Sequence, residues 1–133
     1  MEILVNEQPQ RFYLAFDDKW RSAIGHEIKV GKYSFCAIPL NGCINVSEST
    51  LGVKILTIPM NIEIMMMTES KEGSIKFFNK IGESLKRIIE STDNFDSQFE
   101  EMKKTVFKRL GEMPPIENID LDMITANVND VLN

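Results

Sequence analysis

Residues 26–47, HEIKVGKYSFCAIPLNGCINVS, contain two hairpin signals that decide the fold class. Gly31-Lys32 lies between alternating apolar segments, and a glycine in the first loop position suits a type II′ turn, where that residue has a positive φ. Asn41-Gly42 is the strongest hairpin signal in the chain, because Asn-Gly is typical of two-residue β-hairpins. The stretch therefore predicts three consecutive antiparallel strands.

The second hairpin also predicts the state of the two cysteines. If Asn41 and Gly42 form the loop, Leu40 opposes Cys43 and Cys36 opposes Ser47. The two cysteines then lie roughly 13 Å apart along the strands, at about 3.3 Å per residue. A disulfide needs Cα atoms within about 7 Å. We therefore expect free thiols, which fits a cytosolic protein.

Working outward, strand patterns occupy the rest of the first half and helix patterns the second. Further strands are predicted at 2–5, 11–16 and 53–58. Residues 61–67 alternate at first and are assigned to the strand region 1–67, although they could instead lead into the next helix. Apolar residues then recur every three or four positions, which predicts helices at about 71–91 and 95–110: Ile75, Phe78, Ile81, Leu85 and Ile88, then Phe95, Phe99, Met102, Val106 and Leu110. The short joint at 92–94 predicts an antiparallel helix pair over 68–110.

Strands first and helices after predict an α+β fold. We expect one domain over residues 1–113, an N-terminal antiparallel β-meander of five or six strands covered by the C-terminal helix pair. Pro114-Pro115 ends the second helix, and residues 114–133 are predicted to be an acidic amphipathic tail with a short helix.

The charge of the chain is concentrated in that tail. The net charge is −5, and residues 111–133 hold five acids and no lysine or arginine. Direct nucleic-acid binding is not expected, because it needs clustered basic residues. No apolar run approaches the roughly 20 residues of a membrane span, and MEILVNEQPQ lacks the features of a secretory signal. A cytoplasmic location is expected.

The tail is the first candidate for a partner-binding site. Its apolar residues are spaced three and four apart, and Asp120 and Asp122 suit a helix start. The segment is a weak helix former, so it should fold only when its apolar side is buried by its own sheet, a second copy or a foreign partner. The predicted contact residues are Asp120, Leu121, Asp122, Ile124, Val128 and Val131. Trp20 is a further candidate, as a binding anchor or as core.

No catalytic, cofactor or metal motif is found in the sequence. His26 is the only histidine, and neither a zinc-ligand spacing nor a phosphate-binding glycine loop occurs. Met65-Met66-Met67 could form an adaptable binding surface or fill the core. We therefore expect no enzyme activity and no cofactor.

These observations favour a non-enzymatic protein-binding module that acts by contact with another macromolecule. Inhibitors, immunity-like proteins and mobile-element accessory proteins have this general character. One alternative is a structural or assembly subunit that forms a homodimer or larger homo-oligomer through the tail. Another is a small-molecule-binding domain or small enzyme that uses the His26 and Trp20 region.

Overall fold

The structure is a computed structural model, and it describes residues 1–119 of the chain. The strands are β1 (Ile3–Val5), β2 (Gln10–Ala15), β3 (Trp20–Val30), β4 (Tyr33–Leu40), β5 (Cys43–Glu48), β6 (Val53–Pro59) and β7 (Glu117–Asn118). The helices are α1 (Ile62–Met67), α2 (Lys71–Ser91) and α3 (Phe95–Leu110). The N-terminal strands and the helices that follow confirm the predicted α+β class.

The strands form a curled antiparallel sheet in the order β6-β5-β4-β3-β2-β7, with β1 paired to β3. Both predicted hairpins are present, since Val30 pairs with Tyr33 and Leu40 with Cys43. Gly31 has a φ of 60°, and Asn41 and Gly42 have φ values of 51° and 75°. Cys36 opposes Ser47, and the two cysteines are free, as predicted.

The long strand β3 belongs to both halves of the curled sheet. Its N-terminal half pairs with β2, and its C-terminal half pairs with β1 and β4. Side chains of β4 alternate between two apolar clusters, because successive residues of a strand point to opposite faces. Phe35 and Ala37 belong to the first cluster, whereas Cys36 and Ile38 belong to the second.

Helix α2 has the predicted bounds and covers the first cluster. Ser70 caps it by accepting a hydrogen bond from the backbone N–H of Gly73 at 2.9 Å. The buried side is not quite the predicted stripe, since the buried residues are Phe77, Ile81, Gly82, Leu85 and Ile89. A Cβ atom at Gly82 would lie 2.5 Å from a methyl carbon of Ile3, so the glycine lets α2 approach β1 closely.

Helix α3 also has the predicted bounds, but the predicted helix pair is matched only roughly. The joint Thr92–Asn94 is short, yet α3 takes its packing contacts from the sheet. The ring of Phe95 packs edge-on against Tyr33 at 4.8 Å, and that of Phe107 against Trp20 at 6.4 Å. The helix therefore lies along strand ends.

A third helix occupies residues that the sequence pattern assigned to strands. Residues 62–67 form α1, so the strand region ends at Pro59 and not at residue 67. Asn61 stabilises the helical start because its side-chain oxygen accepts a hydrogen bond from the N–H of Ile64 at 2.8 Å. Because these residues form a helix and not a strand, a different set of side chains faces solvent.

The start of the predicted tail, residues 114–119, lies against the sheet. Strand β7 pairs with the first residues of β2, and Arg11 donates to Glu117 at 2.9 Å. Ile119 is buried, and its N–H donates to the carbonyl oxygen of Pro9 at 2.9 Å. Residues 120–133, with the predicted tail helix, lie outside the described residues. No helix within residues 1–119 has the length and apolar character needed to cross a membrane.

Candidate functional site

The predicted partner-binding residues fall in two places. Asp120, Leu121, Asp122, Ile124, Val128 and Val131 lie outside the described residues, and their predicted role stays a prediction. Trp20 begins β3 and is half-buried under Phe107 of α3. Its indole Nε1 is buried and has no hydrogen-bond partner within residues 1–119. Trp20 therefore contributes to the packing of α3.

His26 lies in a different environment from Trp20. Its Nδ1 is 3.0 Å from the carbonyl oxygen of Asn6, and its ring lies 5.3 Å from that of Phe78 in α2. Trp20 contacts α3 instead, about 20 Å away along β3 at about 3.3 Å per residue. The structure does not bring the two residues into one concave site.

The buried polar side chains of the sheet serve the fold. Glu48 is 2% exposed, and its carboxylate accepts hydrogen bonds from the N–H groups of Thr50 and Leu51, at 3.1 Å and 2.9 Å. Burial raises the pKa of Glu48 above its ordinary value, and these hydrogen bonds partly oppose that rise. The carboxylate thus holds the β5–β6 turn.

The thiol of Cys36 is poorly suited to nucleophilic chemistry. It is fully buried, and this burial raises its pKa to about 12. Because the thiolate is the reactive form, this cysteine is inert at neutral pH. Among residues 1–119 there is also no group of three or more His, Cys, Asp or Glu side chains arranged to hold a metal ion.

The exposed side of α1 carries three of the seven large apolar residues that are exposed within residues 1–119. Ile62, Met65 and Met66 are 75%, 56% and 65% exposed. Residues three and four apart lie on the same side of a helix, so these side chains form one continuous apolar strip. We call the strip Ile62, Met65 and Met66 the α1 ridge.

The opposite side of α1 fixes the ridge to the protein. Ile64 and Met67 pack against the first apolar cluster. The end of α1 is also joined to α2, because the hydroxyl of Ser74 donates to the carbonyl oxygen of Thr68 at 3.2 Å. The ridge is therefore presented by an anchored helix.

The flanks of the α1 ridge are acidic. Residues 61–70, NIEIMMMTES, contain two acids, Glu63 and Glu69, and no base. Neither acid forms a salt bridge with any residue of the described range. The nearest lysine in sequence, Lys71, pairs with Glu7 at 3.2 Å. The ridge is an apolar strip beside uncompensated negative charge.

Sequence reasoning identified the methionine run but not the ridge. The structure divides the run, since Met67 packs inward while Met65 and Met66 face solvent. Ile62 was missed because it was assigned to a strand. Asn61 was the available signal, because a residue of this type before an apolar segment is typical of a helix N-cap. A helix starting there places Ile62 beside Met65 and Met66.

A scan against protein-family models gives no match for this chain, and neither a search of curated proteins nor a search of solved structures gives a significant one.

Proposed function

We propose that this protein is a non-enzymatic, cytoplasmic protein-binding module that inserts the α1 ridge into an apolar groove on another protein. The observation that carries the proposal is the exposure of three adjacent large apolar side chains on an anchored helix. Single exposed apolar residues are common on protein surfaces, whereas contiguous apolar surface is typical of interaction sites.

Burial of the ridge would supply part of the binding free energy of a complex. Fully burying an Ile or Met side chain contributes about 1.5–3 kcal/mol. Scaled by the exposed fractions of 75%, 56% and 65%, the ridge contributes about 3–6 kcal/mol on complete burial. The unbranched methionines also adapt their shape to a groove.

Charge favours a foreign protein with a basic rim as the occupant. Glu63 and Glu69 beside the ridge would repel the phosphates of a nucleic acid or an anionic membrane. A second copy docked ridge to ridge would bring the same acids together. A stable interface also needs about 800 Å² from each partner, more than three side chains provide. A groove with a basic rim would compensate the charges of Glu63 and Glu69, and its walls would contribute interface area beyond the three ridge side chains.

The acidic tail supports the same class of partner. Residues 120–133 carry Asp120, Asp122 and Asp130 and no base, so their charge has the same sign as the flanks of the ridge. We propose the predicted tail contacts Leu121, Ile124, Val128 and Val131 as a second element of the binding surface. Contact of this kind fits an inhibitor, immunity-like protein or accessory protein.

Site-specific photocrosslinking in the host cell tests the proposal. A photoreactive side chain at position 65 should capture a protein that the same side chain at the exposed Glu83 of α2 does not. The captured protein is then purified, and its affinity is measured for the wild type and for Ile62→Glu. Glu is compatible with the first helical position, so the variant should keep the fold. We expect Ile62→Glu to weaken binding by about tenfold or more.

Ile24→Glu is the matched control, because Ile24 is also exposed, at 42%, but lies on β3 opposite Arg11. It should leave the affinity nearly unchanged. Equal affinities for the wild type and Ile62→Glu contradict the proposal. So does a crosslink from position 65 to a second copy or to residues 120–133 with no foreign protein captured, because either occupant would then replace the foreign partner.

A further inference from the structure

The α1 ridge contains two thioethers, and these are the groups of the ridge that can be oxidised reversibly. We propose that Met65 and Met66 are a peroxide-sensitive modification site, and that their oxidation to sulfoxides prevents docking of the ridge. This inference rests on the proposed function, because it adds regulation to the same surface.

Exposure makes these two methionines accessible to oxidants. Met65 and Met66 are 56% and 65% exposed, and oxidation follows access of the oxidant to sulfur. Met67, the next residue, packs against the apolar cluster, and Met102 of α3 is half-buried. Met1 is 51% exposed but lies outside the ridge. The oxidation rates of Met65 and Met66 can therefore be compared with that of an accessible methionine, Met1, and with those of the protected Met67 and Met102.

The oxidant is hydrogen peroxide or an organic hydroperoxide, and the step is a two-electron oxygen transfer. The thioether lone pair attacks one peroxide oxygen, the O–O bond breaks and an S–O bond forms. Sulfur is oxidised to the sulfoxide. The leaving hydroxide or alkoxide takes the proton from the transferred oxygen through solvent and becomes water or an alcohol. Reduction back to the thioether requires two reductases, one for each sulfoxide epimer.

The sulfoxide changes the ridge without changing the core. Both residues are mostly exposed in the free protein and neither belongs to the buried core, so their oxidation should disturb the fold little. In a complex the polar S–O group enters an apolar groove, where a buried acceptor without a donor is costly. We expect each sulfoxide to weaken partner binding by about tenfold to a hundredfold.

The rate of modification is tested first on the whole protein. A time course in dilute hydrogen peroxide is analysed by peptide mass spectrometry. Met65 and Met66 should oxidise on the order of tenfold faster than Met67 and Met102. Circular dichroism should stay unchanged after the fast phase. Equal rates for the exposed and packed methionines would overturn the inference.

The effect on the surface is then tested with a phenyl chromatography matrix as the apolar probe. Peroxide should shorten the retention of the wild type, and a mixture of both sulfoxide reductases should restore it. Met65→Leu/Met66→Leu keeps an apolar ridge without oxidisable sulfur, so its retention should respond much less than that of the wild type, with the exposed Met1 as its remaining accessible sulfur within residues 1–119. Met65→Gln/Met66→Gln should show short retention without oxidant. A leucine variant that responds like the wild type would overturn the inference.

Affinities for the crosslinked partner distinguish a failure of this inference from a failure of the proposed function. Selective oxidation that leaves the affinity for that partner unchanged overturns the switch, while the Ile62→Glu result for the ridge still stands. Conversely, an unaffected Ile62→Glu variant overturns the binding proposal and with it the switch, although the oxidation rates remain a valid measure of exposure.

Discussion

Glu48 provides a quantitative test of how the curled sheet is closed. The residue is 2% exposed, and its carboxylate accepts hydrogen bonds from the N–H groups of Thr50 and Leu51 in the turn that leads to Gly52. Gly52 in turn accepts a hydrogen bond from the N–H of Ala15 at 2.9 Å, which joins the turn to β2. Glu48→Ala leaves two N–H groups without acceptors. At about 1–3 kcal/mol for a buried group, and less for the exposed Thr50, the variant should lose about 2–4 kcal/mol.

Glu48→Gln is the matched control, because an amide oxygen can replace the carboxylate oxygen Oε2 that accepts both N–H groups. It also removes a charge that burial disfavours, so urea unfolding at pH 7 should place it within about 1 kcal/mol of the wild type. A loss as large as that of Glu48→Ala would refute the reasoning, since it would show that charge, not the acceptor, holds the turn.

The pKa of Glu48 fixes the sign of the pH dependence. Burial raises this pKa above its ordinary value of 4.5, so the folded protein binds the proton more tightly than the unfolded chain does. The stabilisation from protonation is complete below 4.5 and is lost as the pH rises through the folded pKa. Relative to Glu48→Gln, the wild type should therefore gain stability on acidification towards pH 4.5. A relative loss would contradict the assignment.

Three further predictions concern the sheet, the core and the thiols. Gly52→Ala should destabilise the protein by about 1–3 kcal/mol or more in urea unfolding, because φ is +64° and the new Cβ would lie 2.3 Å from the carbonyl oxygen of Tyr13. Gly42→Ala should cost less, because Gly42 has a φ of +75° but lies in open space. A larger cost for Gly42→Ala than for Gly52→Ala would contradict the close approach of Gly52 to β2. Leu85→Ala should cost about 2–5 kcal/mol in the same assay, because Leu85 lies on the inner side of α2 and is fully buried. A cost near zero would mean that α2 does not cover the cluster. In a thiol titration of the native protein, Cys43 should react before the buried Cys36, and denaturant should equalise them; prompt reaction of Cys36 would contradict its burial.

Local signals in the sequence were sufficient for the hairpins and for two helices. Asn41-Gly42 fixed a register because only a few residue pairs adopt two consecutive positive φ values. The bounds of α2 and α3 followed from apolar spacing and from the turn at Thr92–Asn94. These features depend on neighbours in the chain, so a single sequence contains the information.

Features that depend on distant residues were not predictable in this way. β7 consists of Glu117 and Asn118, which have no strand pattern and pair only because β2 offers Gln10 and Arg11. The buried side of α2 differs from the predicted stripe, and Gly82 permits the close contact with Ile3. The α1 ridge was missed for a related reason, since Ile62, Ile64 and Met66 alternate as in a strand. In the structure these residues form a helix, and Ile64 and Met67 pack on the core.

The sheet topology also sets an order for assembly during synthesis. From β2 to β6, each strand pairs with the next strand in the chain, so the hairpins can form as soon as both strands have left the ribosome. Contacts between near neighbours in sequence close short loops and form quickly. The pairing of β2 with β7 instead joins Arg11 to Glu117. The outer edge of β2 at Gln10 and Arg11 therefore stays open to solvent and chaperones until synthesis has passed α3.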